Sequence, residues 1–461
     1  MSLLIKNGRV VTASEQYTAD IYCEGEQITR IGTNLEAPPN ATVIDAKGKY
    51  VFPGFIDPHV HIYLPFMGTY AKDTHETASK AALVGGTTTM IEMVCQARNQ
   101  QPLANGFELW LGKAEGKSAC DFTFHQTVSR LDKECEDQLT EIVKKGISSF
   151  KIFLAYKGAF NLTDEELYHT MRLAKNLGVI VTAHCENPDL IVESQKKLIS
   201  EGKTGPEWHY WSRPPRVEAE GVHHLLTFAE MHDTHVYTVH TSCEESIAEA
   251  MLGKQRGIKV WIETLIQYLV LDKSYAELPN FEGSKYVMSP PLRDKKNQEV
   301  HWNGLRQRFI STVATDHAPF DFKGQKEMGR GDFTKIPNGI PSLEERINLL
   351  YTHGVCEGRL DLNTFVDCGS TQAAKLFGLF PRKGQIAIGS DADLVVYDPD
   401  YRGKISQKTQ LMNLDYSAFE GWEIKGRPSV VTVRGEVAVK DGKFIGKVGR
   451  GKLVKRDPTH F

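Results

Sequence analysis

VFPGFIDPHVH, residues 51–61, is the stretch whose reading decides the fold. It is almost continuously apolar and ends on two histidines spaced two apart. Strands buried on both faces, as in a parallel sheet covered by helices, read as unbroken apolar runs rather than as alternation. Seven more runs follow: GTTTMIEMV (86–94), DFTFHQTV (121–128), SSFKIFLAY (148–156), VIVTAHCE (179–186), HVYTVHTSC (235–243), IKVWIET (258–264) and STVATDHAP (311–319). Helical stretches separate them. Eight such strands predict an α/β fold, a closed (β/α)8 TIM-like barrel. One linking helix is explicit. Thr163 with Glu166 forms a capping box, Leu162 and Leu167 a hydrophobic staple, and Gly178 a stop. Ser342 with Glu345 marks a second helix start.

The two ends of the chain read differently from its middle. The first fifty residues are short strands with turns at Asn7-Gly8 and Glu24-Gly25. The end repeats that style in GQIAIGSDADLVVYD (384–398) and PSVVTVRGEVAVKDGKFIG (428–446). The expectation is a smaller β-sandwich domain built from both termini, residues 1–51 and 386–461, around a catalytic barrel over 52–385. The basic tail Lys447–Arg456 is read as a solvated segment.

The chain has 461 residues, 41% of them hydrophobic, enough for a large core. Fifty-five basic against 58 acidic residues leave a net charge of −3, which gives no field for nucleic acid or a membrane surface. No apolar run reaches the roughly 18 residues of a membrane span. MSLLIKNGRVV (1–11) reads as a strand, not a signal peptide. A cytoplasmic location is therefore expected. None of the eight cysteines forms a C-x-x-C pair, so free thiols are expected rather than disulfides or a zinc knuckle. GKAEGKS (112–118) resembles a phosphate loop, but has three residues between its glycines instead of four and precedes a strand instead of following one.

Parallel barrels carry their active sites at the C-terminal ends of the strands. His59 and His61 end the first predicted strand, and residues two apart on a strand face the same way. Lys151 lies in the fourth strand, His184 ends the fifth, His240 the sixth and Asp316 the eighth. Imidazoles and a carboxylate converging on one mouth suit Zn²⁺, Mn²⁺ or Fe²⁺. His125 and His317 are candidates for supporting these residues. Lys151 beside divalent cations must lose its proton, or react with CO2 to become an anionic carbamate able to bridge two metals; by pattern alone it is a lysine at the core's edge.

At these residues the chain resembles the dihydropyrimidinase/hydantoinase family of the amidohydrolase superfamily. The resemblance spans nearly the whole chain and is carried by GFIDPHVH (54–61), GGTTTMIE (85–92), SSFKIFLAY (148–156), TAHCEN (182–187), TVHTSC (238–243), ETLIQYLVLD (263–272), SPPLR (289–293), DFKGQKEMGRGDFTKIPNG (321–339), AKLFGLFPRKG (374–384) and GSDADLVVYDP (389–399). It implies a binuclear centre of two zinc ions, with manganese as the alternative, held by His59, His61, N6-carboxylated Lys151, His184, His240 and Asp316. It implies substrate binding by Tyr156, Ser289 and Asn338, the last two through backbone groups. The implied reaction opens a small cyclic amide to an N-carbamoyl amino acid by water activated at the metals. Asp316 moves the proton and Tyr156 stabilises the oxyanion. A homotetramer, or a homodimer, is implied as well.

There are departures. The loop Tyr63–Tyr70 and the segment Val94–Ala97 differ from a typical D-hydantoinase, and ATDHAP (314–319) looks closer to allantoinases and dihydroorotases. Dihydroorotases commonly place Arg two residues after H-x-H; Tyr63 stands there instead, which argues against a carboxylate substrate. An allantoinase-like hydrolase is the alternative. A non-catalytic assembly protein of this fold has lost ligands, whereas here every expected one is present.

Overall fold

The computed structural model describes residues 2–99 and 103–459; Met1, His460 and Phe461, assigned above to the terminal β unit, lie outside them. Eight strands form one parallel sheet in chain order: Phe55–Val60, Thr87–Val94, Asp121–Thr127, Ser149–Phe153, Ile180–His184, Val236–Thr238, Val260–Leu265 and Thr312–Ala314. They are almost wholly buried, which is why no alternation is visible in their sequences. The first and eighth strands meet just beyond their ends, where the His61 amide donates to His317 O at 2.9 Å and Val60 bridges His317. The sheet is thereby closed to a barrel.

The opening stretch is divided at Gly54. Tyr50–Pro53 belongs to a second sheet, and Phe55–Val60 to the barrel. A Cβ at Gly54 would lie 2.0 Å from Thr88 Oγ1, so only glycine passes between the two sheets here. The second sheet has nine strands among the described residues and joins both ends of the chain. Tyr50–Pro53 is its seam, parallel to Ser2–Val11 on one side and antiparallel to Leu394–Lys404 on the other. A buried ion network ties this sheet to the barrel. Lys383 Nζ lies 2.8, 2.9 and 2.6 Å from Asp121, Asp391 and Asp393, and Arg434 also pairs with Asp121. The lysine ammonium thus occupies the point where the three carboxylates converge, the place a metal ion would otherwise take.

The marked helix runs Asp164–Leu177, with Thr163 as N-cap, both bonds of the capping box, and Gly178 at φ 66°. The second predicted start is displaced. The helix begins at Arg346, and the Ser342 amide instead approaches His317 Nδ1 at 3.3 Å. The look-alike phosphate loop sits at the C-terminal end of the helix Leu103–Ala114, the wrong end for a phosphate. No helix among the described residues is long and apolar enough to cross a membrane.

The C-terminal tail is not solvated as expected. The Phe122 amide donates to Lys452 O, the Val454 amide to Phe122 O and the Arg456 amide to Gly146 O, so the tail is strapped onto the third barrel strand. Arg456 is 1% exposed, and its guanidinium donates to Phe377 O, Phe124 O, Ser149 Oγ and Thr123 Oγ1. A run of Lys and Arg hid one buried side chain that donates to four acceptors. Arg456→Ala is expected to lower the unfolding free energy by about 3 kcal/mol or more, since hydrogen bonds to a charged group contribute ~1.5–3 kcal/mol each. Chemical denaturation measures this, with kcat per metal-loaded chain unchanged.

Candidate metal centre and active site

Each polar residue at the mouth is buried: His59, His61, Lys151, His184, His240 and Asp316 are all 8% exposed or less. His59 Nε2 lies 3.2 Å from His61 Nε2, and Asp316 Oδ1 lies 3.1 and 2.9 Å from the two nitrogens. The His240 ring is 5.4 Å from that of His59 and 4.6 Å from that of His184. Donor atoms of His59, His240 and Asp316 fall within 4.8 Å of one another. His184 closes the group on the side of Tyr156, their rings 5.1 Å apart. Strand geometry supplies only part of this. His240 and Asp316 lie two residues past their strand ends, with φ of 38° and 48°, and Tyr156 is also left-handed at 63°. Such backbone in non-glycine residues concentrates at functional sites.

The electrostatics of the mouth favour a cation. Burial works against a charged His59, yet Glu263 and Asp316 raise its pKa to about 9. Burial also opposes ionisation of Asp316, but His59 and His61 hold its carboxyl well below the usual range. The other rings stay neutral: burial lowers His61 to about 4, and burial lowers His184 and His240 as well. Neutral imidazole is the form that ligates a metal. His240 Nδ1 is buried without a hydrogen-bond partner. Burial depresses Lys151 to about 8, and its amine faces the Phe153 ring at 4.9 Å. Neutral imidazoles, an ionised carboxylate, an orphaned ring nitrogen and an easily neutralised lysine fit divalent metal ions.

The residues supporting this group went largely unread in the sequence. Glu263, fully buried in the seventh strand, accepts from His59 Nδ1 at 2.8 Å, from the His240 amide at 2.8 Å and from Tyr237 Oη at 2.8 Å. A carboxylate inside an apolar barrel strand was the available signal. Glu186 sits 2.7 Å from His184 Nε2 and 2.5 Å from Arg213; its position two residues after His184 could have revealed it. His61 differs from these, because its Nδ1 faces the Cys95 thiol at 3.5 Å. Asp57 accepts from the His59 amide at 3.2 Å and from Thr315 Oγ1 at 2.7 Å, linking the first strand to the eighth. His317 does not face the metal group; its Nε2 pairs with Asp73 at 2.8 Å. His125 bonds Ser149 and Pro58 O.

A cavity opens on the group. His61, Lys151, His184, His240 and Asp316 line its floor, with Tyr156, Ser289 and Asn338 beside them. Leu64, Phe66, Phe153 and Phe160 make an apolar wall. Asn338 Nδ2 donates to Ser289 Oγ at 2.8 Å, and the His209 ring lies 3.1 Å from the same oxygen. Burial pushes the Tyr156 phenol up to about 12, so it remains a donor.

The amidohydrolase family model matches residues 50–438. The chain is 48% identical to a D-hydantoinase of Geobacillus stearothermophilus over 99% of its own length and 97% of that protein's. Among solved structures it superposes on a D-hydantoinase (dihydropyrimidinase) from Thermus sp. at 64% identity and TM-score 0.98, with 100% of both chains covered. It superposes on a dihydropyrimidinase from Brevibacillus agri at 44% identity and TM-score 0.97, over 99% of each.

Glu263→Gln tests the support of His59 directly. Loss of an outer carboxylate partner typically weakens metal binding by about 10–100-fold. Competition with a graded chelator, read by metal analysis, is expected to show that loss in a folded variant.

Proposed function

The chain belongs to the amidohydrolase family, in its hydantoinase and dihydropyrimidinase branch, and from this membership and the geometry of the mouth we infer that it hydrolyses the ring amide of 5-substituted hydantoins or dihydropyrimidines to N-carbamoyl amino acids. The convergence of His61, Lys151, His184, His240 and Asp316 on one cavity floor, with His59 against His61 and Asp316 just beneath it, carries this reading. Two divalent ions, zinc or manganese, held by those six side chains would supply the Lewis acidity that activates water and polarises the ring carbonyl. Asp316, the acceptor nearest two of the candidate ligands, takes the proton of the attacking water and returns it to the departing ring nitrogen. Tyr156 keeps its proton and donates to the oxygen that gains charge. Backbone groups of Ser289 and Asn338 hold the ring. The apolar wall receives the 5-substituent, and the names of the similar proteins favour the D enantiomer.

The resemblance of residues 314–319 to allantoinases finds no support among these relatives, which are D-hydantoinases and dihydropyrimidinases. A substrate panel with metal-reconstituted enzyme tests the reading. D-5-substituted hydantoins and dihydrouracil are expected to turn over with kcat/KM at least about 100-fold above allantoin and dihydroorotate, a gap of ~2.7 kcal/mol in transition-state binding. Allantoin as the best substrate would overturn it.

We read Lys151 as a carbamate in the active enzyme. Its neutral amine adds CO2 and releases one proton, giving an anionic oxygen ligand. With the amine depressed to about 8, the reactive neutral form grows as pH rises and levels off above that value. Reconstitution of metal-free protein is therefore expected to require CO2 and, with dissolved CO2 held constant, to quicken from pH 7 to 8 and to level off by pH 9. Lys151→Ala should lose metal and turnover, with partial rescue by short carboxylic acids. Full metal uptake in CO2-free buffer would count against the carbamate.

A further inference from the structure

Lys326 lies in the stretch DFKGQKEMGRGDFTKIPNG, none of which serves the metal group. It is 0% exposed. Burial pushes its pKa well below the ordinary lysine value, and no neighbouring charge offsets that. What it has instead is three backbone carbonyls. Its Nζ donates to Val287 O at 3.0 Å, Pro337 O at 2.7 Å and Gly339 O at 2.7 Å. Three acceptors match the three N–H bonds of an ammonium; a neutral amine has two. The carbonyls thus oppose the loss of the proton that burial favours, and their number fits the protonated amine.

They belong to the two segments that frame one side of the cavity. Val287 is two residues before Ser289, and Pro337 and Gly339 flank Asn338. Two further bonds join the same segments: the Gly339 amide to Val287 O at 2.9 Å, and Asn338 Nδ2 to Ser289 Oγ at 2.8 Å. Each bond alone permits a hinge between the segments. A point charge bound on three sides does not, because any sliding lengthens a charge-assisted bond.

We propose that Lys326 is a positioning residue whose ammonium fixes the Ser289 and Asn338 backbones relative to each other and so sets the affinity for the substrate ring, while touching neither substrate nor metal. The proposal rests on the reading of Ser289 and Asn338 as the ring-binding positions. It differs from a purely structural role in what it changes. A structural lysine would alter stability and leave KM alone.

The test uses full-length, metal-loaded Lys326→Gln and Lys326→Ala. Hydrogen exchange in peptides covering 285–292 and 335–341 is expected to quicken, with the barrel strands and metal content as in the parent. Because small misplacements of a binding group cost up to about 100-fold, kcat/KM should fall by roughly 10–100-fold, chiefly through KM. Methylammonium, which fits the space left in Lys326→Ala, should restore part of the loss, while tetramethylammonium should not. Unchanged exchange in both segments of a folded variant overturns the proposal. Loosened segments with an unchanged KM would instead overturn the assignment of Ser289 and Asn338, leaving the clamp standing. If Lys326→Ala does not fold, Lys326→Gln carries both readouts.

Discussion

The hydrogen bond from His59 Nδ1 to Glu263 is the constraint on which the mouth of the barrel depends. A metal-binding imidazole has one nitrogen for the metal, and the ring turns freely unless the other is held. Glu263 reaches from the seventh strand to the first to hold it, and the same carboxylate takes the amide of His240 beyond the sixth. Three strands are thus registered by one buried side chain. Without it, the positive φ of His240 would have no hydrogen bond aiming its ring inward. Asp57 does the equivalent work between the first and eighth strands through Thr315. Barrel closure and site geometry are set by the same pair of carboxylates.

That arrangement explains the charge of the site. Buried carboxylates raise the demand for positive charge, and protein side chains meet it poorly here: one histidine is pulled toward the cation form while its neighbours are driven neutral by burial. Divalent ions held there would satisfy the same demand and leave every imidazole neutral. Lys151 belongs to this balance as well. A charged amine would add positive charge beside the proposed metal ions; the proposed carbamate would instead be one more anionic ligand. Metal binding and lysine modification therefore reinforce each other.

Much of this was legible in the sequence. The eight strands show because barrel strands are buried on both faces, and the six polar residues because they interrupt apolar runs near their ends. The helix after Thr163 shows because its caps are local. What was illegible is what depends on residues distant in sequence. Glu263 carries no spacing signature relative to His59, 204 positions away. Ser342 has a helix-start sequence, but its amide approaches His317 and the helix waits until Arg346. Arg456 looks like part of a basic tail, because nothing local records the four acceptors it meets at Phe124, Thr123, Ser149 and Phe377. The division at Gly54 was hidden for a related reason: one apolar run serves two sheets, and only the close approach of Thr88 marks the break.

Chemistry and substrate choice occupy different kinds of structure here. The candidate metal group is braced by the buried Glu263 carboxylate and the Ser289 and Asn338 segments by the three bonds of Lys326, so their geometry tolerates little change. The apolar wall is built otherwise. Leu64 and Phe66 come from the loop after His61, which leaves the barrel through Tyr63 in a left-handed conformation and carries a two-stranded ribbon, Pro65–Phe66 with Thr69–Tyr70, whose tip is half-buried or exposed. Hydrophobic contacts are non-directional, and a wall made of them accepts exchanges of size and shape that a hydrogen-bonded floor does not. Substitutions in the loop can therefore alter which 5-substituent fits without disturbing the proton or metal chemistry two residues away.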